Sequence, residues 1–400
     1  MVLPDDVPKE LDAWFERDLT AAASAGELPA AHEVEPLLAR VVEVLAAGRS
    51  PILVGESGVG KTAVLEELVR RAARGEVEAL AGKRVLQLSL RRCASTLNPQ
   101  KDQIGERMLQ LIQALAKLGD EVVVFFRDFH LAYDLDLESQ FEAIAFRLPN
   151  PILGEGPRGP IDSMMEYQPG LQRQYVLLEV HEPTLERAGS IVRAWAAEPE
   201  RGTTFTPDAL ETALGLAHRF LARGRLPRKA LDPLAQLAVL KQGGEVTEGD
   251  VVERFSASYG LPRFLVDPTV RVDLDVVRAS FSEVVLGQPE AVDAVLRVIS
   301  LMKSGLSDPR RPFAVFLFVG PTGVGKTHLA QRLAEYLFGD AERIIRFNMA
   351  DFPDDDDAGT LCGEPDDTRV DRRRGVLTQR IMGHPFAVLL LDEFEKASSK

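Results

Sequence analysis

The feature that most constrains the fold of this chain is a run of five apolar residues, Val315–Val319, that ends in a glycine-rich loop. The loop has the spacing Gly-x-x-x-x-Gly-Lys-Thr over residues 320–327, and apolar residues at helical spacing follow it. The pattern predicts a strand, a phosphate-binding loop and a helix. Glycines let backbone N–H groups point at phosphate oxygens, and the helix N-terminus adds the positive end of its dipole. Lys326 is expected to reach the β- and γ-phosphates, and the Thr327 hydroxyl is expected to ligate Mg²⁺.

The same element occurs a second time, near the beginning of the chain. Residues 51–62 repeat the strand and the loop at a constant offset of 265 positions, from Gly55 to Gly320. Self-similarity at this long period indicates two copies of a whole domain and not a short-repeat solenoid. The two loops together predict two sites for ATP and Mg²⁺, with Thr62 as the metal ligand of the first. The predicted nucleotide-contacting residues are Gly55, Gly58, Gly60, Lys61 and Thr62 in the first copy, and Gly320, Thr322, Gly323, Gly325, Lys326, Thr327 and His328 in the second.

Strands and helices alternate around the first loop. Apolar runs at residues 84–90 and 122–126 predict strands, and helical patterns at 34–50 and 103–118 predict helices. Alternation of this kind predicts an α/β fold with a doubly wound parallel sheet. A segment rich in proline and glycine, residues 149–170, argues against a regular central strand across its whole length.

The remaining segments define the predicted domain boundaries. Apolar residues at helical spacing near the N-terminus predict one packing helix followed by a loop; they are Leu11, Trp14, Phe15 and Leu19. Helical patterns dominate residues 183–242 and predict a small all-α domain. The predicted domains are an N-terminal helix and loop (1–33), a first α/β module (34–182), a helical lid (183–259), a linker (260–275) and an incomplete second α/β module (276–400).

The same offset links an apolar strand in each copy to a pair of polar residues. In the second copy, Asp392 and Glu393 follow the strand. Asp392 is expected to hold Mg²⁺, and Glu393 is expected to orient and polarise the attacking water. The first copy has Arg127 and Asp128 at these positions. Because a cation beside Mg²⁺ is electrostatically unfavourable and Asp is one methylene shorter than Glu, the first site is predicted to bind ATP and to hydrolyse it slowly.

Charge and cysteine content exclude several classes of protein. The formal net charge of −14 is not offset by a basic face, which argues against nucleic acid as the main partner. A DNA-dependent ATPase is therefore the least favoured interpretation. Two cysteines in different modules argue against a disulfide framework and a cysteine zinc site. The sequence has no 18-residue apolar run and does not begin with a signal-peptide pattern, so we expect no membrane partner and a cytoplasmic location.

Beyond its two loops, the chain resembles the two-ring Clp/heat-shock family of AAA+ unfoldases over nearly everything after residue 34. The segments that carry the resemblance best are Val284–Val292, Gly305–Pro312, the second loop and Leu389–Ala397. The resemblance implies tandem P-loop AAA+ modules that couple ATP hydrolysis to the unfolding or remodelling of proteins. It also implies that Leu286, Gly287 and Gln288 line the adenine pocket of the second module.

One segment of the first module is similar to a part of the family that acts between subunits. Residues 171–175 resemble the family's Leu-Glu-Arg-Arg-Phe segment, which supplies arginine fingers to the neighbouring subunit; Arg173 is retained and Gln174 replaces the second arginine. The resemblance implies a homo-oligomeric ring, a hexamer, in which Arg173 completes a catalytic set with Lys326 and Glu393. It also implies protein substrates or regulatory proteins as partners, with a protease as a further partner.

Several features depart from the family. No polar residue is expected at the sensor position near Gly156–Pro157. Gln103 and residues 367–370 stand where the two pore loops of the family carry aromatic side chains. The second module's own sensor, arginine finger and lid would follow residue 400. The 400-residue chain by itself is therefore expected to bind ATP with little hydrolysis, to expose an apolar strand edge at Phe386–Leu391, and to aggregate.

Two functions from different classes stay open at this point. The first is a Clp-like AAA+ ATPase that remodels protein partners with the energy of ATP. The alternative is a nucleotide-dependent assembly or regulatory protein whose first module is an ATP-binding scaffold and whose ring does not thread substrate. The overall pattern of motifs favours the first, and the missing pore aromatics favour the second.

Overall fold

The computed structural model of the chain describes residues 7–97, 101–198, 202–221, 223–267, 269–305, 311–321, 323–341, 343–354, 357–363, 375–384 and 386–398, without the side chains of 96, 97 and 101–103. The chain forms two compact units. Unit 1 comprises Met1–Thr204 and Arg223–Asp232, and unit 2 comprises Phe205–Ala222 and Pro233–Lys400. The domain boundaries predicted above remain predictions.

Unit 1 is built on one sheet flanked by helices. Its strands are β1 (Phe15–Asp18), β2 (Ser50–Val54), β3 (Arg84–Leu88), β4 (Val122–Phe126), β5 (Leu153–Gly156) and β6 (Tyr175–Glu179). Its helices are α1 (Leu19–Ser24), α2 (Glu35–Ala46), α3 (Lys61–Ala73), α4 (Leu90–Leu97), α5 (Lys101–Lys117), α6 (Leu131–Asp134), α7 (Glu138–Arg147), α8 (Arg158–Tyr167), α9 (Leu171–Gln174) and α10 (Leu185–Ala196). The strand order is β1-β3-β4-β5-β2-β6, with β1 antiparallel to β3 and the other neighbours parallel.

Side chains of the sheet alternate between two apolar cores, one on each face. In β4, Val124 and Phe126 belong to one core, and Val123 and Phe125 belong to the other. Residues of α5, α7 and α8 complete the first core, and residues of α2 and α3 complete the second. Helices on both faces of a mostly parallel sheet are the arrangement predicted for the first module, and the prediction of an α/β fold is confirmed.

The N-terminal segment differs from its prediction. The spacing of its apolar residues predicts one helix, but Phe15–Asp18 forms an edge strand between a 3-10 turn at Lys9–Leu11 and the short α-helix Leu19–Ser24. Trp14 and Phe15 are 1% and 3% exposed. Because β1 is held by pairing with β3, about seventy residues later in the chain, its conformation depends on a contact that local periodicity does not contain.

The prolines and glycines at 149–170 do not prevent a short central strand. Strand β5 lies between β4 and β2 and so connects the strand that precedes Arg127 to the strand that leads into the first loop. Its two glycines sit where side chains do not fit. A Cβ at Gly154 would lie 2.6 Å from Ile52 Cδ1, and one at Gly156 would lie 2.9 Å from Ile161 Cδ1. Only Leu153 and Glu155 therefore project side chains from this strand.

The described residues after α10 form further helices and two small sheets. The helices are α11 (Pro207–Phe220), α12 (Arg228–Leu240), α13 (Glu248–Tyr259), α14 (Arg263–Val266), α15 (Leu274–Ser282), α16 (Pro289–Ser304), α17 (Lys326–Phe338), α18 (Asp357–Cys362) and α19 (Val376–Gly383). The sheets pair β7 (Thr204–Phe205) with β8 (Glu245–Val246), and β9 (Ile344–Asn348) with β10 (Val388–Asp392) in parallel. The helices predicted between 183 and 242 are confirmed.

The apolar run before the second loop does not form the predicted strand. No strand is assigned at 314–320 among the described residues, and Val315, Leu317 and Val319 are 85%, 77% and 83% exposed. The first module supplies the reason, because β2 is held between β5 and β6, which both come later in the chain. Among the described residues, no strand pairs with 314–320 in this way.

The second module also exposes apolar side chains on β10. Leu389 and Leu391 are 40% and 36% exposed, whereas the equivalent side chains of β4, Val124 and Phe126, are 2% and 0% exposed. The prediction of an exposed apolar strand here is confirmed. Exposed strands of this composition are sites of edge-to-edge association, so aggregation of the 400-residue chain stays a prediction.

Candidate functional site

The first phosphate loop has the backbone geometry that its glycines predict. Gly58 and Gly60 have φ angles of 95° and 104°, in the left-handed region that favours glycine. Gly60 is the N-cap of α3, so the loop opens directly into the helix that begins at Lys61. A Cβ at Gly55 would lie 2.3 Å from the carbonyl oxygen of Val180, which leaves no room for a side chain there.

Residues 223–232 lie directly against this loop. The Arg228 backbone N–H donates to the carbonyl of Gly58 at 3.4 Å, and a Cβ on Gly58 would lie 3.0 Å from the carbonyl oxygen of Arg225. Glu182 holds the segment in place by accepting a hydrogen bond from the backbone N–H of Leu226 at 2.8 Å. Residues 223–232 therefore pack against the first loop and bring Arg225 and Arg228 to it.

Lys61 folds back on its own loop. Its ammonium group donates to the carbonyl oxygens of Gly55 at 2.9 Å and Glu56 at 2.8 Å. Burial lowers the pKa of Lys61, and the charges of Glu155 and Glu56 oppose that shift. The lysine is thus held beside the backbone N–H groups that are predicted to receive phosphate.

Thr62, the predicted metal ligand, is bonded to a carboxylate that sequence reasoning missed. The Thr62 hydroxyl donates to Glu155 Oε1 at 2.6 Å, and Glu155 is only 5% exposed. Burial raises the pKa of Glu155 to about 7, against the lowering effects of the Thr62 hydrogen bond and of the Lys61 and Arg127 charges. The expectation that nothing polar stands near Gly156–Pro157 is therefore wrong. The sequence pattern did not indicate Glu155, because the segment around it is rich in proline and glycine, a composition typical of a loop.

Arg127 and Asp128, which replace the acidic pair in the first copy, have different surroundings. Arg127 is about half exposed, with Nε 3.9 Å from Glu155 Oε1. Asp128 is buried and accepts hydrogen bonds from the Ser89 hydroxyl at 2.7 Å and from the backbone N–H groups of Leu90 and Arg91 at 2.9 Å each. Asp128 therefore anchors the N-terminus of α4, and both of its oxygens are engaged in that contact.

The second loop repeats the geometry of the first. Gly323 and Gly325 have φ angles of 86° and 98°, and Gly325 is the N-cap of α17. Lys326 donates to the carbonyl oxygens of Gly320 at 2.7 Å and Pro321 at 2.9 Å, as Lys61 does at the equivalent positions. Thr327 and His328 follow in the first turn of α17. Thr322, a predicted contact residue, lies outside the described residues.

The acidic pair of the second copy lies at the end of β10, beside α17. Asp392 Oδ2 accepts from Arg346 Nη2 at 2.5 Å, and Glu393 Oε2 accepts from Lys396 Nζ at 2.9 Å. Glu393 has a φ angle of 54°, a left-handed conformation that is uncommon for residues other than glycine. Backbone strain of this kind is concentrated at functional sites. Each carboxylate is thus paired with a cationic side chain of the protein. A metal ion bound at Asp392 would have to displace Arg346 or attract the carboxylate more strongly than Arg346 does.

The remaining predicted site residues are found in two places. Leu286 is 78% exposed, Gly287 has a φ angle of 71°, and Gln288 is the N-cap of α16. Their neighbour Val285 lies beside the second loop, because a Cβ on Gly325 would be 3.9 Å from Val285 Cγ1. Arg173, the predicted arginine finger, is exposed on α9, on the surface of unit 1.

The protein supplies few metal ligands by itself. In the described part of the chain, no group of three or more His, Cys, Asp or Glu side chains could hold a metal ion. Thr62 and Glu155, which share a hydrogen bond at the first loop, nevertheless fit Mg²⁺ that arrives with a nucleotide, because Mg²⁺ keeps several waters and takes further oxygens from phosphates. No helix in the described residues is long and apolar enough to span a bilayer.

Comparison with known proteins agrees with this arrangement. The AAA domain (Cdc48 subfamily) matches residues 311–400. The ATP-binding subunit ClpE of the ATP-dependent Clp protease from Lactococcus lactis is 28% identical, over 98% of this chain and 61% of its own length. Chloroplastic ClpC2 from Arabidopsis thaliana is 28% identical, over 95% of this chain and 48% of its length. The negative regulator of genetic competence ClpC/MecB from Bacillus subtilis is 27% identical, over 95% and 56%.

Solved structures give the same result. The closed state of Hsp104 with ATPγS and FITC casein superposes with a TM-score of 0.75 and 27% identity, over 98% of this chain and 69% of that one. The Hsp104–ADP complex of S. cerevisiae superposes with a TM-score of 0.68 and 28% identity, over 96% and 68%. The chain spans about half to three fifths of the length of the curated relatives named above.

Proposed function

This chain is a relative of the Clp/Hsp100 AAA+ proteins, and we propose that it is an ATPase with two unequal nucleotide sites that remodels or unfolds proteins. The first site mainly binds ATP, and the second hydrolyses it. The observation that carries this division is the different use of the carboxylate that follows each central strand. Both carboxylate oxygens of Asp128 accept hydrogen bonds at the start of α4, whereas Glu393 is exposed at the end of β10.

Each loop contributes the same groups to phosphate binding. Backbone N–H groups at the start of α3 and α17 and the ammonium groups of Lys61 and Lys326 receive the phosphate oxygens. Thr62, Thr327 and Asp392 hold Mg²⁺, which neutralises charge on the phosphates when it is bound. Leu286, Gly287 and Gln288 contact the adenine of the second site. Glu393 orients the attacking water and accepts its proton.

Arg173 is proposed to act on the site of a neighbouring copy. Its exposure on α9 leaves the guanidinium accessible to another subunit. An arginine finger offsets the charge on the transferred phosphoryl group and can raise the rate by about 10³–10⁵. We therefore propose a homo-oligomeric ring, with a hexamer as the expected form. Several relatives are named as ATP-binding subunits of the Clp protease, which supports a protease as a further partner.

Protein substrates are proposed on the same basis, since two Hsp104 structures in the comparison were determined with casein. The sequence also favours a second candidate, a nucleotide-dependent assembly or regulatory protein that does not thread substrate. Aromatic side chains in a pore loop supply large contact area at low entropic cost, and the sequence has Gln103 and residues 367–370 there. Residues 367–370 lie outside the described part of the chain, as does the side chain of Gln103.

Unfolding of a stably folded, tagged protein separates the two candidates. The leading proposal predicts unfolding that requires ATP and is lost in Glu393→Gln, which retains bound ATP. Processivity is expected to be poor, and Thr368→Tyr is expected to improve it by adding an aromatic side chain. Nucleotide-dependent assembly without any unfolding, in the parent and in Thr368→Tyr, would favour the second candidate. The cytoplasm stays the predicted location.

A further inference from the structure

The first nucleotide site contains a buried carboxylate that is only half satisfied. Glu155 Oε1 accepts the hydrogen bond from Thr62, but Glu155 Oε2 is buried and has no hydrogen-bond partner among the described residues. The nearest cation, Arg127, is 3.9 Å from Oε1, beyond hydrogen-bond distance. A buried carboxylate with an oxygen that accepts no hydrogen bond destabilises the fold, so its presence requires a functional explanation.

The position of Glu155 in the sheet places it at the predicted metal. Strand β5 lies between β4, which ends at Phe126 just before Arg127, and β2, which leads into the phosphate loop. Phe126 is in register with Gly154, so Glu155 stands opposite Arg127. Its neighbours Gly154 and Gly156 have no room for side chains, which leaves Glu155 as the acidic group that this strand can offer to Thr62.

We propose that Glu155 is the carboxylate that holds Mg²⁺ at the first site, together with Thr62. This inference rests on the proposed nucleotide-binding function. In P-loop ATPases, Mg²⁺ is held by the loop Ser or Thr and by an acidic residue at the end of the neighbouring strand. Arg127 has replaced that acidic residue here, and Glu155 supplies a carboxylate from the next strand. A Glu side chain is one methylene longer than an Asp side chain. From β5, Glu155 reaches the Thr62 hydroxyl, as the 2.6 Å hydrogen bond between them demonstrates.

The local charges agree with this assignment. Lys61 and Arg127 are cations that act on Glu155, and Glu66 is a further carboxylate that acts on it. Without Glu155, a divalent cation beside Thr62 would meet the positive charges of Lys61 and Arg127 and would lack the carboxylate that contacts Thr62. With Glu155 ionised, the site again has an anionic ligand for the metal, although Arg127 occupies the usual position.

The test measures how strongly Mg²⁺ promotes ATP binding at the first site. The full 400-residue chain carries Lys326→Ala to weaken the second loop, and a fluorescent ATP analogue is titrated in EDTA and in Mg²⁺. Glu155→Gln keeps the shape of the side chain and removes its charge. The affinity of this variant for ATP in EDTA is expected to stay within about twofold of that of the parent. The Mg²⁺ increment, which is the factor by which Mg²⁺ raises the affinity for ATP, is expected to fall by about 10- to 100-fold, as it does when a metal-supporting group is lost. Glu186→Gln, which removes the same charge at an exposed position of α10, is the matched control and is expected to retain the increment.

Two further measurements make the result specific to the metal. The electron paramagnetic resonance spectrum of Mn²⁺ bound with ATP reports which groups ligate the metal. It should change in Glu155→Gln and not in Glu186→Gln. Adding Arg127→Asp to Glu155→Gln returns an acidic residue to β4 and should restore the Mg²⁺ increment. An unchanged Mg²⁺ increment in Glu155→Gln, or equal loss of binding in EDTA and in Mg²⁺, would overturn the proposal. Absence of ATP binding by the chain with intact Glu155, in EDTA and in Mg²⁺ alike, would instead refute the proposed function of this site.

Discussion

The two phosphate loops have the same backbone but stand in different surroundings. Lys61 and Lys326 each donate to two carbonyls of their own loop, and the glycine φ angles agree to within about 10°. The strand that leads into the first loop is buried along its whole length, between β5 and β6. The run that leads into the second loop is exposed and is not assigned as a strand.

This difference distinguishes structure that neighbouring residues determine from structure that depends on distant parts of the chain. The loop is determined by glycine conformations and by the helix that follows it, all within a dozen residues. The strand is determined by hydrogen bonds and side-chain packing from elements far along the chain. A phosphate loop can therefore have its shape while the sheet that should position it relative to its acidic residues does not form.

The largest expected effect comes from matched apolar residues before the two loops. Ile52 and Leu317 are equivalent by the 265-residue offset and are 0% and 77% exposed. Ile52→Ala should lower the free energy of unfolding by about 2–5 kcal/mol, because it leaves a cavity. Leu317→Ala should change it by no more than about 0.5 kcal/mol. Urea denaturation followed by circular dichroism measures both, and similar losses in the two variants would show that residues 314–320 are packed in solution.

Replacing the lysine of each loop with alanine should have the next largest effect, which is on the affinity for ATP. Lys61→Ala removes hydrogen bonds between an ammonium group and phosphate, and should weaken ATP binding at the first site by about ten- to hundredfold. Lys326→Ala should alter the tight phase of binding little, because residues 314–320, which lead into the second loop, are described without a strand. Isothermal titration with ATP resolves the two phases, with the exposed Lys117→Ala as a control. Loss of the tight phase in Lys326→Ala alone would reverse the assignment of the better-formed site.

The acidic residues after the central strands give a smaller and more specific contrast. Asp128→Ala removes a buried carboxylate that accepts three hydrogen bonds, and should destabilise unit 1 by about 1–3 kcal/mol. Glu393→Ala, at an exposed position, should cost no more than about 0.5 kcal/mol. Trp14 and Trp195 both lie in unit 1, so tryptophan fluorescence in urea follows that unit. Equal stability of the parent and Asp128→Ala would mean that Asp128 is not a structural cap and is free for another role.

The sequence could predict the parts of the site that depend on short-range pattern. The glycines, lysines and threonines of both loops, the strand at 122–126 and the acidic pair Asp392 and Glu393 follow from spacing and from the internal repeat. The edge strand at Phe15–Asp18 could not be predicted, because its apolar spacing also fits a helix and only the pairing with β3 decides between them.

Glu155 shows a different limit of prediction. Its strand of four residues contains two glycines and follows two prolines, a composition typical of a loop. The strand is stable because it is enclosed by β4 and β2, and that enclosure is also what buries the carboxylate beside Thr62. The available signal was a charged residue between two glycines, in the segment that supplies the next strand after β4.

The first site is proposed to bind ATP without hydrolysing it at an ordinary rate. The most direct test loads the 400-residue chain carrying Lys326→Ala with radiolabelled ATP and Mg²⁺ and then identifies the bound nucleotide after increasing times. We expect the label to be recovered as ATP, with turnover well below about 1 s⁻¹, and we expect Asp128→Asn not to change this result. Turnover of about 1 s⁻¹ or faster that disappears when Lys61→Ala is added would show that the first site is an active ATPase.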